Sequence, residues 1–290
     1  MFAVGSIAEL SEGLYEIREG MFEPVSECGI EVDLHRPFVD RVVFKRNGQL
    51  YRRVHEVVDV WFDSGAVPFA QMHYPFENKE LFEKSFPGDY IAEGIDQTRG
   101  WFYTLHNIAS AIFGKPAYKT IIVNELILDK SGQKMSKSKG NTIDPFEMMS
   151  KYGADAVRWY FLVNNPPWKP TLFNPKDIEE TVIADFFRSL TNSYKFYALY
   201  ANIDEITGAE PEVPIAERPE LDRWILSCLN SVVKQFTEFM EVYEVTRATR
   251  LLQDFARLEV SNWYVRRNRR RFWKGEKDNE KLAAYQTLRT

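Results

Sequence analysis

Cysteine and histidine are scarce in this sequence of 290 residues. The two cysteines, Cys28 and Cys228, lie far apart and outside any Cys-x-x-Cys pair, and the four histidines are isolated from one another. This pattern excludes a disulfide framework and a zinc site of the usual ligand spacing. We therefore expect reduced cysteines and no metal site in this chain.

The sequence also lacks long apolar runs and an N-terminal targeting signal. No run approaches the roughly 18 residues that a membrane-spanning helix needs, and no basic segment followed by an apolar one opens the chain. Neither sign of charge dominates, because 37 Lys and Arg stand against 42 Asp and Glu, for a net charge of −5. We expect a soluble, cytoplasmic protein with no membrane partner, in which any binding of nucleic acid depends on local basic patches.

Apolar and aromatic residues are plentiful, at 44% and 14% of the chain. A chain of this length and composition can bury a sizeable core, and it is long enough for two or three compact units. Residues 1–58 are predicted to be β-rich, with a hairpin whose turn is Asn47-Gly48, a strong type I′ signal.

Residues 59–176 change to alternating helix and strand, which predicts an α/β layer. Apolar residues at helical spacing stop at Gly114, and the β-branched stretch IIVNELIL follows. Farther on, Asp144 can cap a helix, Pro145 fits its first position, and Glu147 would complete a capping box.

Residues 177–290 carry long helical patterns with one apolar face each, and they predict a helical bundle. The last residues, DNEKLAAYQTLRT, stop while a helical pattern is still under way. We therefore expect the bundle to be truncated and the chain to be a piece of a longer protein.

A lysine-rich loop follows the β-branched stretch and contains KMSKSKGN, residues 134–141. A loop rich in Gly and Ser that leaves a strand can turn its backbone N–H groups and flexible lysines toward phosphate oxygens. A solvated surface loop is the common alternative for a lysine cluster, and the residue order of a P-loop is absent.

Lys-Met-Ser-Lys-Ser resembles the signature loop of class I aminoacyl-tRNA synthetases, whose Rossmann-like catalytic domain activates an amino acid with ATP. The resemblance implies that the loop closes over the triphosphate of ATP, which is bound with Mg²⁺. Lys137 would stabilise the charge on the departing pyrophosphate, and Lys134 would assist. No protein nucleophile is needed, because the amino-acid carboxylate attacks the α-phosphate and positioning plus electrostatics can carry the step.

Two further stretches, DVWFDSG (59–65) and AEGIDQTRGWF (92–102), resemble the isoleucyl branch of this family. The resemblance implies that the fold is the second half of a Rossmann-like catalytic domain (59–176) followed by a helical anticodon-binding domain (177–290). Residues 1–58 would be the tail of an inserted editing domain and its linker. A valyl-type synthetase is the alternative within the family.

The resemblance also assigns an adenylate site. Glu93 would meet the ammonium group of the aminoacyl part, because an unpaired buried carboxylate is costly and needs a cationic partner. Asp96 and Gln97 would hold the ribose and nearby groups, and Gly94 would let the backbone approach the ligand. The alternative is an ordinary helix N-terminus with Asp96 as its cap.

Two aromatic residues, Trp61 and Trp101, match the walls of the isoleucine side-chain pocket in the isoleucyl branch. Rigid apolar surfaces of this kind favour a branched aliphatic group. Packing in the protein core is the alternative for each tryptophan.

A basic stretch near the end holds six cations within nine residues and no acid, with Trp263, Tyr264, Phe272 and Trp273 interleaved. Arginine clusters bind phosphate backbones and aromatic rings can stack on bases, so the stretch is interpreted as a contact with tRNA(Ile). The alternative is an amphipathic helix whose arginines are solvated or paired with acids such as Glu259. The cations are Arg266, Arg267, Arg269, Arg270, Arg271 and Lys274.

One sequence that the resemblance requires is missing. Class I synthetases carry a His-Ile-Gly-His type sequence on the first half of the nucleotide fold, and none of His35, His55, His73 and His106 replaces it. We therefore expect the isolated chain to be inactive without an N-terminal catalytic half and an editing domain. A non-catalytic tRNA-binding module is the alternative of a different class.

Overall fold

The computed structural model describes residues 1–290, which form two units, Met1–Val67 and Pro68–Thr290. The division falls inside a helix, whereas the sequence predicts a boundary at residues 58 and 59. The three-part division into 1–58, 59–176 and 177–290 stays a prediction.

An antiparallel sheet forms the centre of the first unit and follows a short helix, α1 (Ile7–Ser11). Asn47 and Gly48 connect its last two strands with φ angles of 49° and 76°, so the predicted type I′ hairpin is confirmed. In chain order the strands are β1 (Leu14–Arg18), β2 (Met21–Pro24), β3 (Val42–Arg46) and β4 (Gln49–Arg52), and their spatial order is β2-β1-β3-β4.

The second unit begins with the end of α2 (Val60–Ala70) and with α3 (Lys79–Ser85). A parallel strand pair with a crossover helix follows. The helix buries one apolar face and ends at Gly114, which has φ 62°, as predicted. This arrangement confirms the predicted α/β class. The three elements are β5 (Gly88–Gly94), α4 (Trp101–Phe113) and β6 (Tyr118–Asn124).

The lysine loop and two helices lie between the members of a second, very short parallel pair, β7 (Ile127–Leu128) and β8 (Thr171–Leu172). The helices are α5 (Pro145–Tyr152) and α6 (Ala154–Val163). Asp144 caps α5 by accepting a hydrogen bond from the Phe146 N–H at 2.8 Å, as predicted. The prediction that Glu147 completes a capping box is wrong, because its carboxylate accepts no hydrogen bond from the Asp144 N–H.

Helices account for the rest of the chain, which confirms the predicted helical C-terminal region. Two segments, Ile178–Phe187 and Phe255–Val265, are π-helical and continue into α-helices. None of the helices is both long and apolar enough to cross a membrane. The α-helices are α7 (Pro175–Asp177), α8 (Arg188–Ile203), α9 (Glu220–Glu241), α10 (Val245–Asp254), α11 (Arg266–Trp273) and α12 (Asn279–Arg289).

Polar and aromatic contacts join this bundle to the α/β part of the second unit. The Trp159 indole N–H on α6 donates to Gln253 on α10 at 2.9 Å, and the ring of Tyr90 on β5 stacks on Tyr243 between α9 and α10 with centroids 5.0 Å apart. The bundle is therefore anchored to the strand whose end carries the predicted adenylate residues.

Candidate functional site

The predicted adenylate residues lie where β5 ends. Glu93 and Gly94 are its last two residues, and they pair with Val123 and Asn124 at the end of the parallel strand β6. Open α/β sheets bind their ligands at the carboxyl ends of parallel strands, so this position suits a binding site. Glu93 is exposed and has no ion-pair partner, which corrects the expectation of a buried carboxylate.

The glycine at position 94 makes room for a side chain of the protein itself. A Cβ atom there would lie 2.6 Å from Asp96 Oδ1, closer than any real contact allows. The φ of Gly94 is −66°, so the backbone does not require glycine. The absence of a side chain at position 94 therefore lets the Asp96 carboxylate fold back over the end of the strand.

Gln97, and not Asp96, caps the start of α4. Its Oε1 accepts a hydrogen bond from the Trp101 N–H at 2.9 Å, while its Nε2 lies 3.4 Å from Asp96 Oδ2. The alternative interpretation, an ordinary helix N-terminus with Asp96 as its cap, is therefore wrong in its cap, because the Gln97 side chain accepts that hydrogen bond. Asp96 is left exposed at the carboxyl edge of the sheet.

The two tryptophans predicted to line a side-chain pocket belong to different units. Trp61 lies on α2 in the first unit and is 44% exposed. Trp101 begins α4 in the second unit and packs against the buried cluster of Leu105, Ala109 and Ala117. Trp101 thus packs against the core, as its alternative interpretation had it. The isoleucine pocket formed by both tryptophans stays a prediction.

The lysine loop presents four lysines that form no close ion pair. The residues Lys137–Lys139 form one 3₁₀ turn, which ends at Gly140 with φ 65°. Lys134 and Lys137 are exposed, as are their neighbours Lys130 and Lys139, and none of the four lies within 4.0 Å of a carboxylate. The ammonium groups are therefore available to an anion from solution.

Asp129 and Asn141 bracket this loop, and neither was predicted from the sequence. Asp129 Oδ1 accepts hydrogen bonds from the N–H groups of Ser131 and Gln133, each at 2.9 Å. Asp129 Oδ2 accepts from Asn141 Nδ2 at 2.8 Å, and Asn141 Oδ1 accepts from the Ser136 N–H at 2.9 Å. The hydrogen bond from Asn141, followed by those from the backbone, lowers the pKa of the Asp129 carboxyl. The Asp-Lys-Ser-Gly order is an Asx-turn signal that could have identified Asp129.

The basic stretch near the end forms α11, and four of its arginines point outward. Trp263 and Trp273 are exposed beside them, and the Arg267 guanidinium lies 4.8 Å from the Trp263 ring centre. None of the four arginines has an acidic partner within 4.0 Å. These outward residues are Arg266, Arg267, Arg269 and Arg270; we call them the basic face of α11.

The fifth arginine points inward. Arg271 donates two hydrogen bonds to the fully buried carboxylate of Asp222 on α9, at 2.6 and 2.8 Å. Two of the interleaved aromatics, Tyr264 and Phe272, are completely buried and form part of the core. The prediction that these two rings stack on bases is therefore wrong. Arg271 agrees with the alternative interpretation, in which an arginine of this helix is paired with an acid of the protein itself.

Two family models match the chain. Residues 9–170 match the tRNA synthetases of class I (I, L, M and V), and residues 222–290 match the anticodon-binding domain of tRNA ligase. The first match covers the lysine loop and the end of β5, and the second covers the basic face of α11.

Curated relatives resemble nearly the whole chain. An isoleucine–tRNA ligase of Cytophaga hutchinsonii is 52% identical over 288 residues, which is 99% of this chain and 26% of that protein. An isoleucine–tRNA ligase of Thermus thermophilus is 47% identical over 287 residues, again 99% of this chain and 26% of that protein. The chain thus spans about a quarter of the length of these relatives.

Solved structures share the fold at low sequence identity. A LeuRS of Agrobacterium radiobacter K84, in a ternary complex with tRNA and LeuAMS, superposes with a TM-score of 0.62 at 19% identity, covering 95% of this chain and 33% of that one. A methionyl-tRNA synthetase of Mycobacterium tuberculosis with methionyl-adenylate gives 0.65 at 20% identity, covering 79% and 44%. These similarities support the fold that the sequence predicts.

Proposed function

The chain belongs to the class I tRNA synthetases of the I, L, M and V group, and on that basis we propose that it is part of an isoleucine–tRNA ligase. It would supply the second half of the catalytic fold and the start of the anticodon-binding bundle. The observation that carries the proposal is the 52% identity, over 99% of the chain, to an isoleucine–tRNA ligase.

The proposed reaction joins isoleucine to ATP, giving isoleucyl-adenylate and pyrophosphate, and then transfers the isoleucyl group to tRNA(Ile). Mg²⁺ would enter with the nucleotide. The Glu93 carboxylate would accept hydrogen bonds from the ammonium group of isoleucine, and Asp96 and Gln97 would hold the ribose. Their place at the carboxyl end of β5, where Glu93 and Asp96 are exposed and Gln97 is half-buried, supports these roles.

Lys134 and Lys137 would stabilise the negative charge that develops on the departing pyrophosphate. Because no carboxylate neutralises them, their full charge is available to the transition state. Trp61 and Trp101 would line the isoleucine pocket, and the basic face of α11 would bind the backbone of tRNA(Ile).

The test supplies the part of the catalytic fold that carries the His-Ile-Gly-His sequence and measures isoleucine-dependent exchange between ATP and pyrophosphate. The isolated chain should be inactive, and the complemented protein active. Lys137→Ala should then lower the exchange rate by about 100-fold or more, since it removes a charge aimed at the transition state. Lys115→Ala is the control, because Lys115 is exposed and precedes β6, at the opposite edge of the sheet.

Three results would contradict the proposal. Exchange by the isolated chain would show that it needs no other half. A preference for valine over isoleucine would favour a valyl-type synthetase. Binding of tRNA without exchange after complementation would favour the non-catalytic tRNA-binding module.

A further inference from the structure

The lysine loop is closed by two side chains twelve positions apart, Asp129 and Asn141, which we call the Asp129–Asn141 clasp. Asp129 stands directly after β7, and Asn141 follows the 3₁₀ turn that carries Lys137. The clasp therefore joins the first residue of the loop to its last and encloses both predicted catalytic lysines.

Every polar side-chain atom of the clasp forms a hydrogen bond, each acceptor with a donor and each donor with an acceptor. Asp129 Oδ1 accepts from two backbone N–H groups, and its Oδ2 accepts from the Asn141 amide. The Asn141 amide donates to Asp129 and also accepts from the Ser136 N–H, in the middle of the lysine motif. Only a side chain with both a donor and an acceptor can connect a carboxylate to a backbone N–H in this way.

The rest of the loop is held mainly by hydrogen bonds of its own backbone, such as those from the Asp129 N–H to Gln133 and from the Lys139 N–H to Ser136, and the hydroxyls of Ser136 and Ser138 lie 3.2 Å apart. A single β-bridge pairs Leu128 with Lys134, and the side chain of Met135 packs at the margin of a buried cluster. The lysine side chains make no ion pairs. The clasp is therefore the main side-chain restraint on the backbone from which Lys134 and Lys137 project.

We propose that the Asp129–Asn141 clasp is a positioning device that fixes the internal shape of the lysine loop, so that Lys134 and Lys137 keep their relative positions when the loop closes over the triphosphate. The inference rests on the proposed function. Preorganised charges stabilise a transition state best because they need no reordering during the step. Asp129 and Asn141 act through the lysines and touch no substrate.

The chain permits a swap that preserves the four short hydrogen bonds of the clasp and loses only the 3.4 Å bond that the Asn141 amide donates to the Lys134 carbonyl oxygen. In Asn141→Asp, two carboxylates face each other, and in Asp129→Asn, two amide donors face each other. When both substitutions are combined, the new amide at position 129 would still accept from Ser131 and Gln133. Its NH₂ group would donate to the new carboxylate at position 141, which would still accept from Ser136. Both single variants should therefore open the clasp, and the double variant should restore it.

The first readout is amide hydrogen exchange in the 290-residue chain. Each single variant should speed exchange of the Ser136 N–H and leave the Gly114 N–H, which donates to Ser110, unchanged as a folding control. The double variant should return Ser136 to the original rate. A Ser136 N–H that exchanges equally in all four proteins would overturn the inference.

The second readout is isoleucine-dependent pyrophosphate exchange in the complemented protein. Each single variant should lower kcat by about 10- to 100-fold, as misplaced catalytic groups do. The KM for ATP should change much less, because the lysines act on the transition state. The double variant should recover the rate. Unchanged kcat in the single variants would overturn the inference and leave the proposed function standing. Inactivity of the unmodified complemented protein would overturn both.

Discussion

Arg271 on α11 holds the buried carboxylate of Asp222 on α9 through two parallel hydrogen bonds of 2.6 and 2.8 Å. The Tyr264 hydroxyl donates to the same carboxylate at 2.8 Å. Burial, reinforced by the charge of Asp222, raises the pKa of this phenol. One basic stretch thus has two kinds of arginine, because Arg271 joins the helix to the bundle while its neighbours face outward.

Removing the inward arginine should destabilise the bundle. Arg271→Met leaves the Asp222 carboxylate buried without its cation, and breaking one partner of such a pair costs about 3–5 kcal/mol. Urea unfolding measures the loss. Arg270→Met is the matched control, since Arg270 is exposed and unpaired, and it should change the unfolding free energy by less than about 0.5 kcal/mol. Equal effects of the two variants would contradict the assignment.

Removing outward arginines should weaken RNA binding in a salt-dependent way. Replacing Arg266, Arg267, Arg269 or Arg270 by Gln should reduce the slope of log K against log salt for tRNA(Ile) by about one for each phosphate that is no longer neutralised. Titration at several salt concentrations measures this slope. Lys234→Gln on α9 is the control, since Lys234 lies 4.0 Å from Glu238 and outside the basic face. A slope unaffected by all four replacements would exclude the basic face of α11 as the binding surface.

The sequence predicted features that depend on neighbouring residues. The turn at Asn47 and Gly48, the end of α4 at Gly114 and the start of α5 at Asp144 and Pro145 each follow from local backbone preferences, and the structure has all of them. The α/β class could be predicted for the same reason, because the order of helix and strand is local information.

Features that depend on distant partners could not be predicted in this way. Arg271 looks like its four neighbours in sequence, and only Asp222, 49 positions away, sets it apart. Similarly, the pairing of Asp129 with Asn141 spans twelve positions. The cap of α4 is local, but neighbouring polar residues compete for it, and Gln97 rather than Asp96 accepts from the Trp101 N–H. Side-chain pairing of this kind requires the folded backbone.

A carboxylate in the loop after α8 should make the stability depend on pH. Glu210 accepts hydrogen bonds from the N–H groups of Thr207 and Gly208, both at 2.8 Å, and the bond from Thr207 is the main reason that its pKa is lowered to about 2 from 4.5. Because the folded pKa is depressed, its contribution is complete above pH 4.5 and is lost as the pH falls toward 2. The unfolding free energy, measured across that range, should fall less steeply in Glu210→Gln. The control Glu276→Gln removes an exposed carboxylate and should keep the original slope.

The glycine at the end of β5 provides the most direct test of the proposed adenylate site. In Gly94→Ala, the new Cβ would lie 2.6 Å from Asp96 Oδ1, so the Asp96 carboxylate must move away from the end of the strand. Gly88→Ala adds the same methyl group to the same strand, but its Cβ would meet only the Ala117 carbonyl oxygen at 3.7 Å, an ordinary contact. We therefore expect kcat/KM for pyrophosphate exchange to fall by about 10-fold or more in Gly94→Ala, in line with the displacement of a substrate-positioning group, and to be unchanged in Gly88→Ala. Full activity of the Gly94 variant would mean that the position of the Asp96 carboxylate is not required for holding the adenylate.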